Sequence, residues 1–480
     1  MRRFTVYDSL TREVRVFAPL HPPRVGLFVC GLTPYAPAHI GHARTFVFFD
    51  VVARALRRWG YRVLYVQNVT NVDDKLIARA AEEGVEPLPL AERHFADYRN
   101  AMERLGVRSV NYYPFATDYL SEIIAQVRTL VQKGFAYRTD DGSVYFEVAK
   151  FPGYGKLSGQ KVEELRPGAR LERDSRKRAP EDFVLWKAAT PGEPTWESPW
   201  GPGRPGWHIE DTAITERLLG ARYDLHGGGI DLIFPHHEAE VAQAEAATGE
   251  APLVNYWMHA GMLRFSGEKM SKSLGNIVAL QDVLDSWTAG VVRFFFVNAQ
   301  YRSPLEFHAE RSLAEATEAY RRLRQPLERF DEALARDGPE RAGEDAPTGL
   351  LDEASALVDR LDATLADDFD TRGAVALLFG WGRRLADLGP AADRLSGAAI
   401  ERLRAPYDWA REVLGLFEDE PPAPSGAWGA VVEAALAARA RARARGDFAE
   451  ADRIRDELTR AGVTLEDGGN RTRWRMAGGG

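Results

Sequence analysis

Two short stretches carry the residue types that handle a polyphosphate. In His39-Ile40-Gly41-His42 two histidines stand three positions apart. Imidazole N–H groups can donate to phosphate oxygens as charge builds in a phosphoryl or adenylyl transition state. In Lys269-Met270-Ser271-Lys272-Ser273 two lysines stand three apart among small residues. Each ammonium is a compact point charge on a flexible stem, suited to clamping a polyphosphate. A third stretch, HGGGIDLIFPHHEAE from His226 to Glu240, is dense in donors. Asp231 suits a ribose hydroxyl or an ammonium. His236 and Glu240 are four apart, so on a helix they share one face. The three glycines read as room for a ligand to approach the backbone.

The single cysteine, Cys30, excludes an intramolecular disulfide and a four-cysteine metal site. Any zinc ion must therefore take mixed ligands, with histidine and carboxylates completing the set.

These groups need elements to hold them. Residues 25–31 (VGLFVCG) read as a buried strand ending in a turn, Ala43–Tyr61 as an amphipathic helix, and residues 62–69 (RVLYVQNV) as the next strand. Strand, helix and strand predict a βαβ unit in a parallel sheet. His39–His42 then fall at a helix N-terminus, where free N–H groups and the macrodipole favour phosphate. Residues 116–205 read as an insertion. Its part from Pro167 to Gly206 is so rich in Pro, Gly and charge that regular structure is not expected there. Apolar runs resume after Gly206. The charged helical pattern of 313–417 predicts a helix bundle. Glu418–Ala427 (EDEPPAPSGA) reads as a linker. Two helices, 430–446 and 448–461, and possible short strands follow.

At 480 residues, two to four domains are expected. Hydrophobic residues at 45% and charged residues at 28% match an ordinary soluble globular chain. No apolar run reaches the length of a membrane span, and the start lacks the apolar segment of a secretory leader, so a cytoplasmic protein without membrane contact is expected. Net charge is −8, against a general nucleic-acid binder. Residues 426–480 nevertheless hold 10 Lys+Arg against 8 Asp+Glu, a balance of +2, which leaves −10 for the rest. That asymmetry favours a nucleic-acid role for the tail.

Longer motifs extend these signals along the chain: CGLTPYAPAHIGHARTF, YVQNVTNVDDKLIARA, EDFVLWK, GEPTWESPWGPGRPGWHIE, HGGGIDLIFPHHEAE, NYWMHAGML, GEKMSKSLGN and RDELTRAGVTLEDGGNRTRWR. Together they resemble the cysteinyl-tRNA synthetase family, essentially end to end. The resemblance implies an α/β fold: a Rossmann-type parallel-sheet class I catalytic domain carrying the HIGH and KMSKS motifs, split over 1–115 and 206–260. It further implies a connective insertion at 116–205, a KMSKS-containing junction at 261–312, a helix bundle at 313–417, and a small α+β anticodon-binding domain at 428–480. It implies cysteine–tRNA ligation in two steps, with ATP and Mg2+. Cysteine carboxylate attacks the α-phosphate to form the adenylate, and a terminal ribose hydroxyl of tRNA(Cys) then attacks the adenylate. His39, His42, Lys269 and Lys272 take the catalytic roles, and they bind ATP together with Gly41 and Asp231. Thr70, Trp207 and His226 fall on positions lining the cysteine pocket. Arg443, Asp452 and Asp467 fall on anticodon-reading positions, where paired hydrogen bonds to base edges are available. A monomer is implied.

In that family one zinc ion is held by two Cys, one His and one Glu. The matching positions are Cys30, Asp211, His236 and Glu240, so this chain reads GWHIED where the family reads GWHIEC. Asp keeps the formal charge of the ligand set and is a competent zinc ligand, though harder and shorter-bonding. Zinc is expected to be retained, holding the substrate thiolate. An apolar pocket separates near-isosteres such as cysteine and serine only about 10- to 200-fold, whereas a metal's affinity for sulfur separates them further. Two other readings stay open here. One is a related ligase joining cysteine to a small amine, as in mycothiol biosynthesis, favoured by Leu32 and Pro34 and opposed by the complete tail. The other is a non-catalytic tRNA-binding paralogue.

Overall fold

The structure is a computed structural model that describes residues 1–160, 176–265, 268–269, 278–418, 427–460, 463–468 and 471–476. Strand β1 (Arg24–Leu32), helix α1 (Ile40–Arg58) and strand β2 (Arg62–Val69) form the expected parallel βαβ unit. The apolar run of β1 is buried at Val25, Leu27, Phe28 and Val29 because helices cover both faces of such a sheet. Helix α1 buries Phe46, Val47, Phe49, Val52 and Leu56, each worth about 1.5–3 kcal/mol relative to exposure. It begins at Ile40, three residues before the expected Ala43, because His42 Nδ1 accepts the His39 N–H at 3.2 Å. It ends at Trp59, and Gly60 turns the chain with a φ of 88°.

After the insertion the chain returns through helix α2 (Ile209–Leu219), strand β3 (Tyr223–Gly229), helix α3 (Glu238–Thr248) and strand β4 (Val254–Ala260). The four strands are parallel, in the order β4-β3-β1-β2. The chain leaves β1 toward one edge and comes back on its other side. The gap between β1 and β3 is therefore a topological switch point, and a crevice opens beyond the carboxyl ends of those strands.

The insertion holds an antiparallel sheet of Ala136–Arg138, Val144–Phe146, Phe183–Ala188 and Gly203–Pro205, paired in that order. The last two strands correct the expectation of no regular structure across Pro167–Gly206. Phe183, Leu185 and Trp186 are buried in a core with Ile123, Val127 and Leu130, and that burial overrides the local Pro and Gly signal. Residues 161–175 lie outside the described residues. Ile209 of α2 and Ala239 and Ala242 of α3 belong to the same core, so the insertion rests on the helices that flank β3.

Helices Ala309–Asp337, Thr348–Leu365, Thr371–Ala386 and Gly397–Trp409 form the bundle. Its apolar interior is continuous with that of α1. Asp362 accepts hydrogen bonds from Arg58, Trp59 and Trp409, which ties the end of α1 to the bundle. Most of the linker expected at Glu418–Ala427 lies outside the described residues. The tail has helices Ala427–Ala444 and Phe448–Arg460, packed through Val432, Leu436, Ile454 and Leu458, and an antiparallel pair Val463–Gly468 and Arg471–Met476. Among the described residues no helix is long and apolar enough to cross a membrane.

Candidate active site and metal centre

The donors expected in a ligand set arrive from the carboxyl end of a strand, the first turn of a helix or the turn that leads into one. Cys30 lies near the end of β1, where the pairing with β2 shifts register between Val29 and Leu32. Such an irregularity re-aims a side chain. Asp211 lies in the first turn of α2, and Glu240 in the first turn of α3. His236 comes from the wide turn Ile233–His237 that leads into α3.

These four side chains, far apart in sequence, meet around one nitrogen. His236 Nε2 stands 3.4 Å from Cys30 Sγ, 3.1 Å from Asp211 Oδ2 and 3.0 Å from Glu240 Oε1. All four residues are buried, Asp211 and Glu240 completely. Two carboxyls and a thiol around one imidazole leave an excess of potential anions with little solvent, which is costly unless a cation joins them. Burial, then the Asp211 charge, pushes the Cys30 thiol well above its ordinary range. Burial pushes Glu240 up to about 7, against the opposing pull of His236. Neither carboxylate oxygen of Glu240 has a well-formed hydrogen bond among the described residues. The donor set of one thiol, one imidazole and two carboxylates fits a divalent zinc ion.

The surroundings also suit a metal ligand. His236 Nδ1 lies 2.8 Å from His208 Nδ1. Burial, then the His236 charge, holds His208 well below the ordinary imidazole range, so His208 is neutral. His208 Nδ1 can then accept the Nδ1 proton of His236. Against the opposing effect of burial, the Cys30 and Glu240 charges hold His236 well above the ordinary imidazole range, so Nε2 keeps a proton toward the donors until a metal displaces it. Fixing the tautomer of a ligating histidine in this way is a typical outer-shell role. Trp207 stacks on His236 with ring centroids 4.4 Å apart and walls the site. His226 Nδ1 meets the Tyr223 hydroxyl at 2.6 Å, and His226 Nε2 lies 3.5 Å from Glu240 Oε2. Thr70 at the end of β2 donates to Glu210 Oε1. Trp207 and His226 thus touch this centre, whereas Thr70 reaches it through Asn68, whose Nδ2 lies 3.4 Å from Thr70 Oγ1 and donates to Asp211.

Several groups here escaped the sequence reading. His237 belongs to the donor cluster: its ligating nitrogen lies within 4.8 Å of those of Cys30 and His236. Behind it, His237 Nδ1 meets His259 Nε2 at 2.8 Å, and His259 Nδ1 meets the Ser9 hydroxyl at 2.8 Å. The HH pair in the motif was the available signal for His237. His208, Asn68 and Glu210 had none, since only the fold brings them close. Two of the three glycines also have a packing reason. A Cβ at Gly227 would lie 2.2 Å from the Phe49 ring of α1, and one at Gly228 would lie 2.8 Å from the His237 ring. Gly227 and Gly228 leave room for helix-on-sheet and side-chain packing.

The two histidines expected to handle phosphate sit at the amino end of α1. The His39 and His42 rings stack with centroids 3.7 Å apart. Burial, then the neighbouring His39, holds His42 well below the ordinary imidazole range. His42 is therefore neutral, and its Nδ1 is engaged as an acceptor from the His39 N–H. The ring proton must be on Nε2, which leaves one N–H to give. Gly41 lies between the two histidines in the first turn. Asp231 is exposed just beyond the end of β3, on the same carboxyl-end side of the sheet.

Two backbone bonds join residues downstream of the KMSKS motif to this helix. The Ile40 N–H donates to Val278 O at 3.1 Å, and the Leu280 N–H donates to Ala38 O at 2.8 Å. On the other side of the KMSKS segment, Lys269 pairs with Arg264 in a short strand. Lys272 lies outside the described residues. Val278 and Leu280 are thus held on the residues flanking His39. Arg44 braces the same region, donating to Met262 O at 2.6 Å and to Ser303 O. In the tail, Arg443 lies exposed in the last turn of Ala427–Ala444, Asp452 lies exposed on Phe448–Arg460, and Asp467 pairs with Thr472 across the strand pair.

Comparison with known proteins places this geometry in context. Residues 16–318 match the family described as tRNA synthetases class I (C) catalytic domain. Residues 427–475 match the cysteinyl-tRNA ligase anticodon binding domain. A cysteine–tRNA ligase of Methylococcus capsulatus is 47% identical over 478 residues, covering 98% of this chain and 99% of its own. One from Alkalilimnicola ehrlichii is 46% identical over 476 residues, covering 98% and 99%. The structure of Mycobacterium tuberculosis methionyl-tRNA synthetase with methionyl-adenylate superposes with a TM-score of 0.61 at 17% identity, covering 82% of this chain and 92% of that one. That likeness concerns the fold alone.

Proposed function

The chain belongs to the cysteine–tRNA ligase family of class I synthetases, and from that premise we propose how its residues divide the work. The enzyme ligates cysteine to tRNA with ATP, and the tail that matches the anticodon-binding domain favours tRNA(Cys) over a small amine as acceptor. Cys30, Asp211, His236 and Glu240 hold one zinc ion. When bound, zinc supplies affinity for the substrate's sulfur that a serine hydroxyl cannot match. Trp207 closes one wall of the amino-acid pocket, and Thr70 and His226 line it.

ATP with Mg2+ lies over the amino end of α1. A cysteine carboxylate oxygen bonds to the α-phosphorus as the bond to pyrophosphate breaks. His42 donates its Nε2 proton in a hydrogen bond to the α-phosphate region. His39 supports it, and Lys269 and Lys272 neutralise the departing pyrophosphate. Gly41 leaves space for the adenine, and Asp231 holds a ribose hydroxyl. The terminal ribose hydroxyl of tRNA then attacks the acyl carbon, and AMP leaves. Positioning and charge stabilisation carry both steps. Arg443, Asp452 and Asp467 read the anticodon. The chain works as a monomer in the cytoplasm.

One observation carries the cysteine assignment: the meeting of Cys30, Asp211, His236 and Glu240 around His236 Nε2 beside the phosphate-handling helix. The test is ATP–pyrophosphate exchange with cysteine and with serine, before and after zinc removal, with metal analysis of the purified protein. One zinc per chain, exchange dependent on cysteine, and loss on chelation with recovery on zinc addition are expected. Exchange indifferent to chelation, or equal for serine, overturns the reading.

A further inference from the structure

Asp211 brings a problem that a single-atom sulfur ligand does not have. A carboxylate has two oxygens, and here both are buried. Left free to rotate, it can offer a metal both at once. The fold deals with the second oxygen. Asn68, 1% exposed near the end of β2, donates from Nδ2 to Asp211 Oδ1 at 2.5 Å. Asp211 Oδ2 is the oxygen that faces His236 Nε2, at 3.1 Å. On its other side Asn68 Oδ1 accepts the Gly31 N–H at 2.6 Å. The amide orientation is determined by its neighbour: the Gly31 N–H can only donate, so Oδ1 faces it and Nδ2 is left to donate to Asp211. Gly31 directly follows Cys30, and a Cβ there would lie 1.9 Å from Asn68 O, so the two strands close up where the carboxamide bridges them. One side chain thus spans the backbone that carries Cys30 and the carboxylate of Asp211.

We propose that Asn68 is a positioning residue that turns Asp211 to present Oδ2 alone to the metal and holds it in register with Cys30. This rests on the zinc reading above. The test uses the full-length protein and four variants: Asn68→Ala, Asn68→Asp, Asp211→Cys and the double variant Asp211→Cys with Asn68→Ala. Asn68→Asp preserves size and the acceptor for Gly31 but sets one carboxylate against another. Zinc affinity is measured by chelator competition, and the visible spectrum is recorded on cobalt-substituted protein. Both Asn68 variants are expected to lose about 10- to 100-fold in zinc affinity, the usual effect of an outer-shell partner. The cobalt bands weaken as Asp211 adds its second oxygen and the site leaves four-coordination. KM for cysteine rises while KM for ATP holds. In the Asp211→Cys background Asn68→Ala costs distinctly less, because sulfur has no second donor to restrain. Unchanged affinity and spectrum in a folded Asn68 variant, or the same loss in both backgrounds, overturns the proposal. The isosteric Asn68→Asp keeps the comparison decisive if Asn68→Ala does not fold. A wild-type chain that takes up no zinc is a separate outcome that removes the zinc reading itself.

Discussion

His42→Asn isolates a single proton. In the structure His42 Nδ1 is committed to the His39 N–H at 3.2 Å, and the ring is held neutral, so the side chain has one N–H to offer substrate. An asparagine side chain can still accept the His39 N–H through its carbonyl but does not reach as far with a donor. The cap, a hydrogen bond worth about 0.5–1.5 kcal/mol, is then largely preserved. The lost donor is of the kind aimed at developing charge in a half-buried site, and removing one costs about 2.7–4 kcal/mol, or 100- to 1,000-fold in rate. Cysteine-dependent ATP–pyrophosphate exchange should fall by that factor with zinc content unchanged. The unfolding midpoint should move by less than about 4 °C. A loss of under tenfold, or a loss matched by a comparable fall in stability, would refute the assignment of His42 as the donor.

Two further predictions follow from buried charges. Arg293 donates to Asp50 Oδ2 at 2.5 Å, Leu105 O at 2.9 Å and Leu414 O at 2.6 Å, joining α1 to the end of the bundle. Arg293→Met leaves a buried carboxylate only partly compensated by Arg54 and should cost about 3–5 kcal/mol in urea unfolding, with part recovered by adding Asp50→Asn. His259 is pushed down to about 3 by burial, against the opposing charge of Asp231. A depressed imidazole contributes stability above its unfolded value of about 6.5 and loses it as pH falls toward 3. His259→Asn should therefore shrink the stability lost between pH 7 and pH 5 by about 2 kcal/mol, measured by chemical unfolding at both values; an unchanged difference counts against a neutral His259.

The parts most legible in the sequence were those whose pattern is local. The apolar run of β1, the amphipathic face of α1 and the strand β2 appear within a few residues of the expected positions. The glycines after His226 were visible, yet their reason was not. Gly227 makes room for Phe49, which lies nearly two hundred residues earlier. The strands at Phe183–Ala188 and Gly203–Pro205 were hidden because their partners and apolar cover come from elsewhere.

The residue types alone determined the chemistry on offer: neutral or charged imidazoles, paired lysines, and one cysteine that forces a mixed ligand set. The longer motifs determined the family. Only the tertiary structure decided that Asp211 reaches the ring that Cys30 and Glu240 also reach, that His208 Nδ1 lies against His236 Nδ1, and that Asn68 donates to the other oxygen of Asp211. The physical reason is range. Periodicity and spacing report which way a side chain points from its own element. They carry nothing about which distant element faces it, and both the strength of a ligand and the position of a proton depend on that neighbour.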